Sequence, residues 1–89
     1  MVAEVKGVEC PEGQWTAIST GKAKVLAVVR DVGSGRIATG ATMPAAGMPS
    51  VDYLTLDEHR PVSLSFEDTT TNVYVWPMSV GLVIEVVRE

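Results

Sequence analysis

The chain has 89 residues, of which 46% are hydrophobic and 20% charged, and this composition predicts one globular domain, 1–89, instead of a disordered chain. Eleven acidic and seven basic residues give a net charge of −4, which argues against a nucleic-acid partner because phosphates are bound by a basic surface. The single cysteine excludes an intramolecular disulfide, and neither a signal-peptide pattern nor a membrane-spanning segment is seen, so we expect a soluble protein with no membrane partner.

The first half of the chain contains four strand patterns. VAEV (2–5) and QWTAIS (14–19) are short candidates, and 1–13 is predicted to form an N-terminal arm or an edge strand. KVLAVVR (24–30) is apolar almost throughout, as expected for a central strand that is covered on both faces. GRIAT (35–39) follows after a glycine-rich turn. These patterns predict β-structure for this half of the chain.

A segment without charged side chains, 37–51, separates the two halves. It contains Met43, Pro44, Met48 and Pro49 among small residues. Methionine adapts to irregular apolar hollows, and proline reduces the entropy that a loop loses on binding. Two interpretations stay open: the segment contacts another protein, or it folds back as a hydrophobic lid over an open end of the domain.

Strand alternation is clearest in the second half. LDEH (56–59) is expected to make at most a single helical or 3₁₀ turn, whereas VSLSF (62–66), NVYVW (72–76) and GLVIEVVR (81–88) are predicted strands. Six or seven short strands and little or no helix predict a small antiparallel β-sandwich or barrel. The predicted core consists of Leu26, Val28, Val62, Leu64, Phe66, Val73, Val75, Leu82, Ile84 and Val86.

The last strand is apolar on both faces, since Val83 and Val87 lie opposite the predicted core set. An exposed apolar face usually marks an interface. A core of this size is also marginal, so association with copies would stabilise the fold. We therefore expect a homo-oligomer, a trimer in preference to a dimer.

No segment carries a convincing catalytic, metal or cofactor pattern. His59 and Asp57 would supply only two of the roughly four ligands of a zinc site, and a solvated turn explains them better. STGK (19–22) and GSG (33–35) lack the other glycines and the helix of phosphate and dinucleotide loops, so both are interpreted as turns. Cys10 has no histidine nearby in the sequence to activate it. We predict a protein without enzymatic activity.

Four aromatic residues have two interpretations. Tyr74 and Trp76 share one face of their strand, opposite the valines. Exposed aromatic side chains, with Trp15 added, stack on sugars or anchor protein interfaces. In the other interpretation these residues, and Tyr53, pack beneath a loop or against the N-terminal segment.

The run WTAISTGKAKVLAVVRDVGSGRIATGATMPAA, followed by YLTL, VSLSF, NVYVW and VGLVIEVV, resembles small all-β virion proteins of tailed bacteriophages. The resemblance covers 15–87 and consists of strand and turn patterns. It implies a non-enzymatic role in head decoration (as a cement protein), in a head fibre or in a tail. It also implies a homo-oligomer that is made in the host cytoplasm and resides in the virion.

The leading hypothesis is a capsid decoration protein that binds the major capsid protein of the assembled shell. The alternative is a carbohydrate- or receptor-binding module of a fibre or tail, and an accessory domain of an enzyme is a third possibility. No cofactor or metal is expected. The candidate interface residues are Met43, Pro44, Met48, Pro49, Tyr74, Trp76, Val83 and Val87.

Overall fold

Eight β-strands form the regular structure of the chain in a computed structural model, which describes residues 3–45, 47 and 52–89. The strands are β1 (Glu4–Cys10), β2 (Thr16–Ser19), β3 (Lys24–Val29), β4 (Ser34–Gly40), β5 (Leu54–Asp57), β6 (Val62–Ser65), β7 (Asn72–Pro77) and β8 (Leu82–Arg88). The described residues contain no helix, and hence none long and apolar enough to cross a membrane. The predicted all-β antiparallel class is confirmed.

The strands form two four-stranded antiparallel sheets. The first sheet has the order β1-β8-β3-β6, and the second has the order β2-β7-β4-β5. Strands pair from the two ends of the chain inwards, β1 with β8, β2 with β7, β3 with β6 and β4 with β5. The chain is therefore one long hairpin rolled into two sheets, which is the jelly-roll arrangement.

The core lies between the two sheets. Of the predicted core residues, those of β7 and β8 are fully buried, and those of β6 with Phe66 are partly buried against the same cluster. The cluster of buried residues consists of Cys10, Ile18, Val25, Ala27, Val29, Ile37, Leu56, Val73, Val75, Leu82, Ile84 and Val86. The alternation in these later strands therefore gave the correct inward face.

The prediction was wrong for β3, where Leu26 is exposed and Val28 is only half-buried. Val25, Ala27 and Val29 point inward instead. Both faces of this strand are apolar in sequence, so alternation alone cannot choose between them. The choice comes from the ladder with β8, which places Ala27 opposite the buried Val86.

Strand β5 was not among the seven strand candidates predicted from sequence. It is short, and only Leu56 within it is buried, so it carries little alternation. The expected turn at 56–59 starts later: the Arg60 N–H donates to the Asp57 carbonyl over 3.1 Å, which closes a β-turn after the strand. LDEH is thus half strand and half turn, without a helical turn.

Arg88 joins the two sheets near the ends of the described chain. The Nε of Arg88 donates to Glu4 Oε1 over 2.6 Å, and its Nη1 donates to the Ile18 carbonyl over 2.7 Å. Glu4 is in the edge strand β1, whereas Ile18 is in the second sheet. The guanidinium therefore connects the edge of one sheet to the backbone of the other, and this bond holds the pKa of Glu4 below its usual range.

Candidate functional site

Cys10 lies in the core, and His59 lies in the turn after β5. Cys10 is buried, and desolvation raises the pKa of its thiol to about 11, so the reactive thiolate is scarce at neutral pH. The backbone N–H of His59 donates to Asp57 Oδ1 over 2.8 Å in the turn after β5. Within the described parts of the chain, no group of three or more His, Cys, Asp or Glu side chains is placed to hold a metal ion.

Both tryptophans and both tyrosines lie on the outer side of the second sheet. Trp76 alternates with the core residues of β7, and its ring meets that of Trp15 edge to face, with 5.6 Å between centroids. Arg36 pairs with Trp76 across the strands, and its guanidinium carbon lies 4.3 Å from the centre of the Tyr53 ring. We call Trp15, Arg36, Tyr53, Tyr74 and Trp76 the aromatic face.

The aromatic face anchors the start of the uncharged segment. Trp15 Nε1 donates to the Ala45 carbonyl over 3.1 Å. Asn72 Nδ2 donates both to the Ala41 carbonyl and to the Tyr74 hydroxyl, each over 3.1 Å. These bonds fix both ends of residues 41–45 to one sheet, and we call these five residues the anchored segment.

The anchored segment presents one large apolar side chain to solvent. Met43 is 52% exposed, whereas Pro44 is half-buried. A groove of about 390 Å³ separates the segment from the turn before β2; its lining is Gly13, Gln14, Trp15, Met43, Pro44 and Trp76. Two of the predicted interface residues, Met48 and Pro49, lie outside the described residues.

The predicted aromatic residues of β7 differ in exposure. Tyr74 is buried and Trp76 is half-buried. Trp15, which was considered with them, is also buried. Trp15 and Trp76 contact each other, and Trp15 and Tyr74 take part in the hydrogen bonds that hold residues 41–45.

The outer face of the first sheet carries an apolar row that crosses three strands. Val5 of β1 and Leu26 of β3 flank Val87 of β8 as its cross-strand partners. These side chains are 73%, 38% and 36% exposed for Val5, Leu26 and Val87. We call these three residues the apolar row. Val83 lies further along the same face of β8 and is half-buried.

Charges beside the apolar row are paired within the chain. Lys24 Nζ lies 3.8 Å from Glu89 Oε1, and Arg30 Nε lies 3.1 Å from Glu85 Oε2. Arg30 extends across Gly7, where an added Cβ would lie 2.7 Å from its Nη2. The glycine therefore leaves room above the edge strand β1 for the guanidinium whose Nε is paired with Glu85 of β8.

Sequence reasoning found only part of these surfaces. It identified Met43, Pro44, Val83 and Val87, but it placed Leu26 in the core and did not single out Val5. The missing signal is the pairing register, because residues 5, 26 and 87 become neighbours only when β8 lies between β1 and β3.

Comparisons of the chain with protein-family models, with curated proteins and with solved structures find no match. The anchored segment and the apolar row are thus the features from which a function is inferred.

Proposed function

We propose that this protein is a non-enzymatic structural protein of a bacteriophage virion, a decoration protein that binds the major capsid protein of the assembled head as an oligomer. The observation that carries the proposal is the exposed Met43 on the anchored segment. The jelly-roll arrangement supports it by analogy at the level of fold, because this fold builds viral capsid and lectin domains.

The anchored segment has the properties of a contact for a large, flat partner. Its backbone is already held by Trp15 and Asn72, so less conformational entropy is lost on binding. It contains no charged side chain, and its burial therefore brings no charge-desolvation cost. The flexible thioether of Met43 can fill a hollow in the shell surface.

One observation favours the carbohydrate- or receptor-binding module as a second candidate. The groove beside Trp76 also contains Gln14, and ligand sites combine aromatic lining with a few polar groups such as amides. Trp15 and Tyr74 are buried, however, which leaves Trp76 as the remaining partly open ring of the three that were proposed. The decoration role is therefore preferred.

The test uses heads of the phage whose genome encodes this chain, assembled without it. Purified wild type and Met43→Ser are compared in co-sedimentation with these heads. Loss of a central apolar contact is expected to weaken binding about tenfold or more, while the melting temperature stays near that of wild type because Met43 is exposed.

Met78→Ser is the matched control, because Met78 is 40% exposed in the turn between β7 and β8. It is expected to bind like wild type. Equal binding by both variants, or no binding by wild type, contradicts the decoration role at this segment. Release of bound protein by free host-surface glycans would support the second candidate instead.

A further inference from the structure

We propose that two copies of this chain associate through the outer faces of their first sheets, around a two-fold axis that passes beside Val87. This inference specifies how the oligomer in the proposed function forms. It rests on the oligomer alone, because the two copies associate without the capsid shell. The proposed oligomer is a dimer and not the trimer expected from sequence. When the same face of two copies is buried in one interface, that face has no room for a third copy.

Charge favours a second copy as the occupant of this face. The chain is acidic, with a net charge of −4, so two copies repel each other over most of their surfaces. The charges around the apolar row are already balanced, in the Lys24–Glu89 and Arg30–Glu85 pairs. Two acidic molecules can therefore meet here without bringing uncompensated charge to the centre of the interface.

The size of the molecule sets an upper limit on this interface. The longest two dimensions of the Cα trace are 34 and 28 Å, so one face of the molecule spans at most roughly 900 Å², against the roughly 800 Å² that each partner contributes to a stable complex. An interface of standard size on this side of the molecule therefore has room for one second copy.

The order of the apolar row suits a two-fold axis. Val87 is in the middle strand of the three, between Val5 and Leu26. An axis parallel to β8 therefore places Val87 against its own copy. The same axis places Val5 of each copy against Leu26 of the other, so the interface contains this contact twice. Every residue of the apolar row therefore meets an apolar residue.

Sedimentation equilibrium of the full chain at micromolar concentrations tests the proposal. Wild type is expected to show twice the chain mass of 9.5 kDa. Val5→Lys alone and Leu26→Glu alone should each raise the dimer dissociation constant about 100-fold, because the axis puts every substitution into the interface twice. A mixture of these two variants should form dimers again, because the introduced lysine of one chain then faces the introduced glutamate of the other across the axis.

Val32→Lys and Val80→Lys are the controls. Val32 and Val80 are 71% and 81% exposed, about as much as Val5, but they lie between strands and not in the apolar row. Both should dimerise like wild type. Val5→Lys should fold to a monomer with the circular dichroism spectrum of wild type, although it loses the stability that the dimer adds. It carries the test if Leu26→Glu does not fold. The proposal is overturned by a wild-type monomer or trimer, by controls that dissociate equally, or by a mixture that stays monomeric. None of these results bears on shell binding, which is measured with Met43→Ser.

Discussion

Gly35→Ala tests how closely the two sheets approach each other. Gly35 is a buried residue of β4. A Cβ added there would lie 2.9 Å from Val75 Cγ1, 3.1 Å from Leu82 Cδ2 and 3.3 Å from the Trp76 carbonyl oxygen. Val75 is on the neighbouring strand, whereas Leu82 belongs to β8 in the opposite sheet. The methyl group can therefore be accommodated only if the sheets separate or both side chains move.

The cost follows from these distances. Ordinary carbon contacts begin near 3.4 Å, so the closest neighbour must give way by about half an ångström, and overpacking of this kind costs about 1–3 kcal/mol. For a domain of this length that lowers the melting temperature by about 5–20 °C. Thermal melting followed by circular dichroism measures the change.

Gly40→Ala is the control, because the nearest atom to its added Cβ is the Thr42 carbonyl oxygen at 3.5 Å. It lies in the same strand and should leave stability within about 0.5 kcal/mol of wild type. Adding Val75→Ala to Gly35→Ala should cost less than the sum of the single changes, because the closest contact is removed. A Gly35→Ala variant that melts like Gly40→Ala would refute the described approach of the sheets.

Three further predictions concern β3, the thiol and the ion pair of Glu4 with Arg88. Ala27→Glu should prevent folding, because it buries a charge, whereas Leu26→Ser should still fold, because Leu26 is exposed. Circular dichroism measures both, and the opposite result would mean that the other face of β3 points inward. Cys10 should resist alkylation at pH 8 in the native protein and react rapidly in denaturant, since burial both shields the thiol and raises its pKa to about 11. Glu4→Gln should be less stable than wild type at neutral pH, and urea titrations should show this gap closing as the pH falls through the lowered pKa of Glu4, where the carboxylate loses its bond to Arg88.

The inward face of a strand could be predicted from sequence only where its two faces differ clearly in polarity. In β7 and β8 the alternation was strict enough to identify Val73, Val75, Leu82, Ile84 and Val86 as core residues. In β3 both faces are apolar, and only the ladder with β8 shows which of them points inward. In β5 one buried residue in four leaves almost no pattern.

The surfaces were less predictable than the strands, for a related reason. Met43 was found because a charge-free run is visible in the sequence itself. The contact that holds this run joins Trp15 to Ala45, and no local pattern indicates it. The apolar row combines residues 5, 26 and 87, which become neighbours through the rolled hairpin. Properties of one segment could be predicted, whereas properties that arise from strand order could not.

The same strand order places the two proposed contacts on opposite sides of the molecule. The apolar row is on the outer face of the first sheet, and the anchored segment is held against the outer face of the second. A pair joined through first sheets therefore presents two anchored segments that point away from each other. If both proposals hold, each shell site takes up two chains, of which one touches the shell through Met43. The outer copy then keeps a free segment, so heads mixed with limiting protein should cross-link into aggregates that Val5→Lys, as a monomer, cannot form.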